Sequence, residues 1–245
     1  MRITRRHFLG VSTGAAALIS TQAAAMGEFS IPSGRRSGCV LLDLKSLCVL
    51  SESFLGYQKI SGGVEVSSAA ALPRATSRFP TLVVPAAGIL DSASVRVLYD
   101  HLQAGGVVLL ESGGGYLRPD EFSVHQQMLK RHLNVSVGMP VDLWSGARAS
   151  CSGAEMPSQR KVAAHGSAPY IDFLWPLKTK VRDFSRVVPP TAQDGDVIGV
   201  ARKIPVAIRK RVGKGTLIFL GSPIGPHLYA GDPEATRWLH AVLSV

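Results

Sequence analysis

Thr81-Leu82-Val83-Val84-Pro85-Ala86 leads through Asp91-Ser92 and the spaced residues Val95, Leu98, Tyr99 and Leu102 to Gly105-Gly106-Val107-Val108-Leu109-Leu110-Glu111-Ser112-Gly113-Gly114-Gly115-Tyr116. The fold reading turns on this stretch. A short continuous apolar run bounded by Pro or Gly is what a strand buried on both faces requires. Apolar residues recurring at three- and four-residue intervals put one stripe on a helix, whose free N–H groups Asp91 or Ser92 can accept. Gly105-Gly106 ends that helix, because glycine takes the left-handed conformation a helix terminus needs. The stretch therefore reads strand, helix, strand.

Working outward, Val40 to Leu44 is another buried run, followed by helical spacing in Leu47, Leu50, Phe54, Leu55 and Tyr57. Gly62-Gly63 breaks the chain before Val64-Glu65-Val66. Asp120 to Leu133 continues as a helix, with Phe122, Val124, Met128, Leu129 and Leu133 available for its inner face. Strands alternating with helices at this pitch predict an α/β fold, a mostly parallel sheet with helices on both faces in a flavodoxin-like sandwich. From about 136 to 215 the pattern degrades. Val197 to Val200, Val206 to Ile208 and Thr216 to Leu220 read as later strands, and Gly213-Lys214-Gly215 as a hairpin turn. A helix capped by Asp232 and carrying Trp238, Leu239, Val242 and Leu243 closes the chain. With no internal repeat, one domain is expected over residues 38–245.

The chain has 245 residues, 46% hydrophobic and 18% charged, which excludes a disordered protein or a small stapled scaffold. Its net charge of +10 invites an anionic partner. Part of that charge belongs to residues 1–25, where a basic head precedes an Ala-rich run too short to cross roughly 30 Å of hydrocarbon. Thr4-Arg5-Arg6-His7-Phe8-Leu9 resembles a twin-arginine signal, with Arg5 and Arg6 as its pair. Cleavage after Ala25 is expected, then a flexible lead-in over 26–37. The expected product is periplasmic, soluble and without a stable membrane span, delivered by the twin-arginine export machinery. Without Arg2, Arg5 and Arg6 the mature chain holds 24 basic and 17 acidic residues, a net +7. Nucleic acid is not the expected partner in that compartment; an acidic protein or a polysaccharide fits better.

Cys39, Cys48 and Cys151 lack the paired spacing of a zinc or redox site, and an odd count leaves at least one thiol free. The residues favour structural thiols. No metal cluster or nucleotide fingerprint is present, so neither metal nor cofactor is expected.

The run from His101 to Tyr116 is similar to the helix, strand and Gly-rich elbow of class I glutamine-amidotransferase-like domains, with the biotin-protein-ligase N-terminal-like and peptidase E-like branches nearest. Val212-Gly213-Lys214-Gly215-Thr216 through Ser222 resembles the same superfamily's terminal hairpin and strand. Non-catalytic relatives appended to some glycosidases and carboxypeptidases share both features. The resemblance implies a nucleophile elbow at the sheet's C-terminal edge. It puts Ser112 at the nucleophile position and Gly114 at the second elbow glycine, with Glu111, Gly113 and Tyr116 beside them as ligand-binding residues.

Two departures weaken the elbow. Glu111 or Leu110 stands where glycine is usual, which makes a sharp turn harder. Pro223 occupies the direct match to the family's His, and His227 follows four residues later, with Asp232 or Glu234 available to orient it. The residues therefore favour a binding or accessory module that has lost catalysis. The rival is a serine hydrolase or acyl transferase using Ser112 and His227. A third reading is a subunit of a periplasmic complex docked through the basic stretch Arg202, Lys203, Arg209, Lys210, Arg211 and Lys214. Pro169 to Pro176 is an aromatic cluster read as a loop packed on the core, with a sugar site as the alternative.

Overall fold

In chain order the elements are β1 (Cys39–Leu42), α1 (Ser51–Gln58), β2 (Val64–Ser67), a one-turn α2 (Leu72–Ala75), β3 (Thr81–Ala87), α3 (Ser92–Gln103), β4 (Val107–Ser112), α4 (Pro119–Met128), β5 (Val141–Asp142), β6 (Tyr170–Phe173), β7 (Thr179–Arg182), β8 (Arg186–Val187), β9 (Asp196–Ala201), β10 (Ile204–Val212), β11 (Gly215–Leu220), α5 (Gly225–Tyr229) and α6 (Pro233–Leu243). This computed structural model describes residues 38–44, 48–60, 63–143, 169–183 and 186–245. The expected signal with Arg5 and Arg6, the expected lead-in to residue 37, and Cys151 lie outside them. No helix of the described residues is long and apolar enough to cross a membrane.

Nine strands form one sheet in the order β2-β1-β3-β4-β11-β10-β9-β6-β7. The expectation of a mostly parallel, flavodoxin-like sheet is corrected here. β2, β1, β3, β4 and β11 are joined by parallel pairings, but β11-β10, β10-β9, β9-β6 and β6-β7 are all antiparallel. The reason lies in the connections. Parallel neighbours need a crossover of a dozen or more residues, whereas β9 and β10 are joined by two residues and so must run antiparallel. Those two, Arg202 and Lys203, have φ of 47° and 69°, the left-handed pair a tight hairpin uses. Gly213, at φ 60°, makes the corresponding turn between β10 and β11.

Alternate residues of the strands feed two cores. Leu41, Val83, Leu109 and Ile218 pack with Phe54 and Tyr57 of α1, Leu228 of α5, and Trp238, Leu239 and Val242 of α6. Leu82, Val84, Leu110, Leu217 and Phe219 face the other way, onto Leu72 of α2, Val95, Leu98 and Leu102 of α3, and Leu129 and Leu133 beyond α4. Asp91 caps α3 by accepting from Ser94 N at 2.6 Å, and Asp232 caps α6 by accepting from Glu234 N at 2.8 Å. Tyr99 is 45% exposed at the margin of its stripe. The α4 stripe is also corrected: Val124 is exposed, and His125 takes its place between Phe122 and Leu129.

The helices α1 and α5 approach so closely that a Cβ on Gly56 would collide with the carbonyl oxygen of Gly225. Gly56→Ala would ordinarily stabilise an exposed helix by about 1 kcal/mol. Here it is expected to destabilise by about 2 kcal/mol, because backbone must move to admit the methyl group. Urea denaturation reads the sign directly.

Candidate functional site

Two regions hold the residues of interest: the C-terminal edge of the parallel strands, and a groove near their N-terminal ends. At the first, β4 carries Glu111 into the core, where its side chain is fully buried. Its carboxylate accepts from Ser53 Oγ, from Tyr57 Oη at 2.6 Å, and from Ile224 N and Gly225 N at 2.7 and 2.9 Å. Ala86 N donates from 3.3 Å. Burial pushes the Glu111 carboxyl above the usual range, and these donors pull it back. Its own burial, and then the same carboxylate, hold the Tyr57 hydroxyl well above its ordinary range. Glu111 therefore clamps α1, the end of β3 and the start of α5 to one point. Pro85, lacking an N–H, marks where β3 departs from its ladder register so that Ala86 can join this clamp.

Ser112 follows with its side chain on the opposite face. Its hydroxyl lies 2.8 Å from His125 Nε2, and Gly114 N donates to it from 3.3 Å. His125 Nδ1 lies 2.6 Å from Gly88 O, and a carbonyl only accepts, so Nδ1 carries the proton and Nε2 accepts from Ser112. Burial brings the His125 pKa down to about 4, which keeps the ring neutral. The arrangement has the connectivity of a nucleophile and base, but Ser112 and His125 are only 2% and 1% exposed. The expected partnership of Ser112 with His227 is not formed, since the imidazole beside Ser112 is His125. The serine hydrolase reading is corrected accordingly: the pair is sealed and ties α4 to the ends of β3 and β4. Helical spacing from Phe122 through Leu129 would have found His125.

The glycines are equally closed. A Cβ on Gly113 would lie 2.6 Å from Ala86 O, one on Gly114 2.6 Å from the His125 ring, and one on Gly115 2.9 Å from Arg186. They admit neighbouring protein backbone and side chains rather than a ligand. Tyr116 is buried against Leu50 and Ala86.

His227, on α5, is buried with Nδ1 at 3.6 Å from Asp232 Oδ2, an approach longer than a hydrogen bond. Burial lowers its pKa to about 4. Nearby buried polar groups include Asp183, which accepts from Ser222 Oγ at 2.8 Å, and Arg186, which donates to Gly115 O. Cys39 and Cys48 are both free thiols, and burial pushes each up to about 12, consistent with inert structural roles. No group of three or more His, Cys, Asp or Glu side chains able to hold a metal occurs among the described residues.

The second region is a groove of about 340 Å³ between β10 and the end of α6, lined by Trp175, Asp196, Arg209, Arg211, Thr216 and Val242 among others. It was not singled out as a whole by the sequence, although its aromatic and basic parts were. The aromatic cluster is not a loop: Tyr170 to Phe173 form β6, and Trp175 sits in the turn after it. The Arg209 guanidinium lies 4.7 Å from the Trp175 ring centroid while Nη2 pairs with Asp196 Oδ2 at 2.9 Å. The basic stretch is not a single docking face, which corrects the third reading. Arg209 and Arg211 share one face of β10, while Lys210 points to the other and donates to Asn134 O at 2.6 Å. Arg202 and Lys203 sit at one end of β10 and Lys214 at the other.

No protein-family model matches the chain, and no curated protein matches it. Among solved structures it is similar to a β-galactosidase from Bacillus circulans sp. alkalophilus, at 12% identity and TM-score 0.53, over 82% of this chain and 30% of that one. An α-L-fucosidase isoenzyme 2 from Paenibacillus thiaminolyticus matches at 11% and 0.53, over 84% and 31%. A cytoplasmic protein from Salmonella typhimurium LT2 matches at 11% and 0.51, over 84% of this chain and 98% of its own. The chain thus spans about a third of the length of the glycosidases it resembles. The assignment to glutamine-amidotransferase-like domains, and with it the accessory module drawn from that family, is corrected. The likeness found is to the fold of part of these glycosidases.

Proposed function

We propose that this chain binds carbohydrate in the groove between β10 and the end of α6. The observation that carries this reading is the set of residues meeting there: Trp175 with Arg209 beside its ring, Asp196 paired to Arg209, and Arg211 and Thr216 together with the apolar Ile218 and Val242. Sugars have apolar ring faces and polar edges, and sites that hold them pair an aromatic surface with a few placed polar groups. The similarity to a β-galactosidase and an α-L-fucosidase supports carbohydrate as the ligand class. By contrast, the Ser112 and Glu111 side chains at the opposite edge are buried, so a ligand would have to displace packed protein to reach them.

The proposed setting is the periplasm, reached through the twin-arginine export machinery that Arg5 and Arg6 suit. Affinity electrophoresis of the mature chain in gels containing neutral and anionic polysaccharides tests the binding. At least one polysaccharide is expected to retard the protein, Trp175→Ala to abolish the retardation, and Ser112→Ala to leave it unchanged. Free migration in every gel, or retention by Trp175→Ala, contradicts the proposal. Fractionation of expressing cells tests the setting. Arg5→Lys with Arg6→Lys is expected to hold the chain in the cytoplasm, and unchanged periplasmic recovery contradicts it.

A further inference from the structure

We infer that the groove takes an anionic sugar, a uronate or sulfated residue of a polysaccharide, and that Asp196 is a built-in competitor setting how tightly it is held. This rests on the carbohydrate reading above and adds the chemical class of the sugar and the control of its binding. Arg209 and Arg211 stand two positions apart on one face of β10, opposite Ile218 and Thr216 of β11, which separates their Cα atoms by about 7 Å. Arg209 already has an acidic partner: both Nε, at 3.3 Å, and Nη2, at 2.9 Å, reach the same oxygen of Asp196. Arg211 has no acidic partner among the described residues. Lys210 contributes backbone to the groove and spends its ammonium on Asn134 O. Counting the side chains that line it, the groove therefore presents two guanidiniums against one carboxylate.

A neutral sugar leaves that excess positive charge unanswered, whereas a carboxylate or sulfate accepts two parallel N–H bonds from a guanidinium. Arg211 receives the first anion. Arg209 can join by exchanging Asp196 for the ligand while its planar group stays on Trp175, since both oxygens of a ligand anion are open to it and Asp196 offers only one. The Asp196 side chain is 71% exposed, so replacing it disturbs little packing. It lowers affinity for an anion by occupying Arg209.

The test is isothermal titration of the mature chain with polygalacturonate, with uncharged galactan and with polyglutamate. Polygalacturonate is expected to bind most tightly. Arg211→Ala is expected to weaken it tenfold or more, Arg211→Lys to restore part of the loss, and Asp196→Asn to tighten it about three- to tenfold. If galactan binds as well as polygalacturonate, depends on Trp175, and ignores Arg211→Ala and Asp196→Asn, the carbohydrate reading stands and this inference falls. If polyglutamate equals polygalacturonate with the same variant pattern, the groove recognises acidic chains in general and the inference is overturned. If none of the three binds, this inference falls, and the carbohydrate reading falls with it when migration is also free in every polysaccharide gel.

Discussion

Glu111→Ala is expected to destabilise the protein by about 3 to 5 kcal/mol, lowering the melting temperature by about 10 °C or more in a chain of this size. The side chain is fully buried and serves as acceptor to two hydroxyls and three backbone N–H groups drawn from three segments. Removing it leaves those donors buried without a partner, and each such group costs roughly 1 to 3 kcal/mol before relaxation. Glu111→Gln keeps one acceptor oxygen but turns an N–H₂ toward the donors, so about 2 kcal/mol is expected. Denaturant unfolding of the three proteins measures this. A loss below 1 kcal/mol for Glu111→Ala would show that the carboxylate is not a structural clamp and would return it to the list of ligand-binding groups.

Acid is expected to weaken the fold through His125 and His227. Both are held neutral by burial, with pKa near 4 against 6.5 for an unburied imidazole. Between those values the unfolded chain binds protons that the folded chain refuses. The stabilisation is therefore complete above pH 6.5, declines as pH falls through 6.5, and is fully lost below 4. Each histidine accounts for about 3 kcal/mol of that loss, and Glu111, whose carboxyl is raised, works in the opposite direction and reduces the net. Against a typical total of roughly 5 to 15 kcal/mol, the protein approaches unfolding near pH 4. Urea titrations at pH 7, 5.5 and 4 follow the decline, and His125→Gln is expected to remove about half of the pH dependence whatever its own stability. A profile flat from 7 to 4 contradicts the assignment of neutral, buried imidazoles.

Much of the parallel half was legible because its strands are continuous apolar runs and its helices carry capped stripes. Thr81 to Ala86 and Val107 to Leu110 left no other reading, and Asp91 and Asp232 cap as their side chains suggest. Of the antiparallel half, the Gly213-Lys214-Gly215 hairpin was legible, and the rest was hidden for a physical reason. The Arg202-Lys203 turn adopts positive φ with two long side chains in place of the Asn-Gly or Gly residues that usually announce it. β6 is four residues long and begins in an aromatic cluster, so period and composition pointed to a loop. With two antiparallel hairpins unread, a mostly parallel sheet followed.

The site was legible by residue but not by role. Glu111 to Tyr116 do gather at the C-terminal edge, yet burial turns Glu111 into a clamp and Ser112 into one end of a tie to His125, thirteen residues away. Sequence spacing shows that His125 lies on the inner stripe of α4 but not that Gly88 and Ser112 meet it. The groove depends on pairings across β9, β10 and β11 with a turn residue, Trp175, and no local pattern joins those.

The most direct measurement is an NMR titration of the ¹⁵N-labelled chain with oligogalacturonate. The Trp175 indole and the amides of Arg209, Arg211 and Thr216 are expected to shift in saturable fashion while Gly113, Gly114 and Tyr116 stay still. Shifts confined to Gly113 to Tyr116 and His227, with Trp175 unmoved, would place the ligand at the opposite edge of the sheet and contradict binding in the groove.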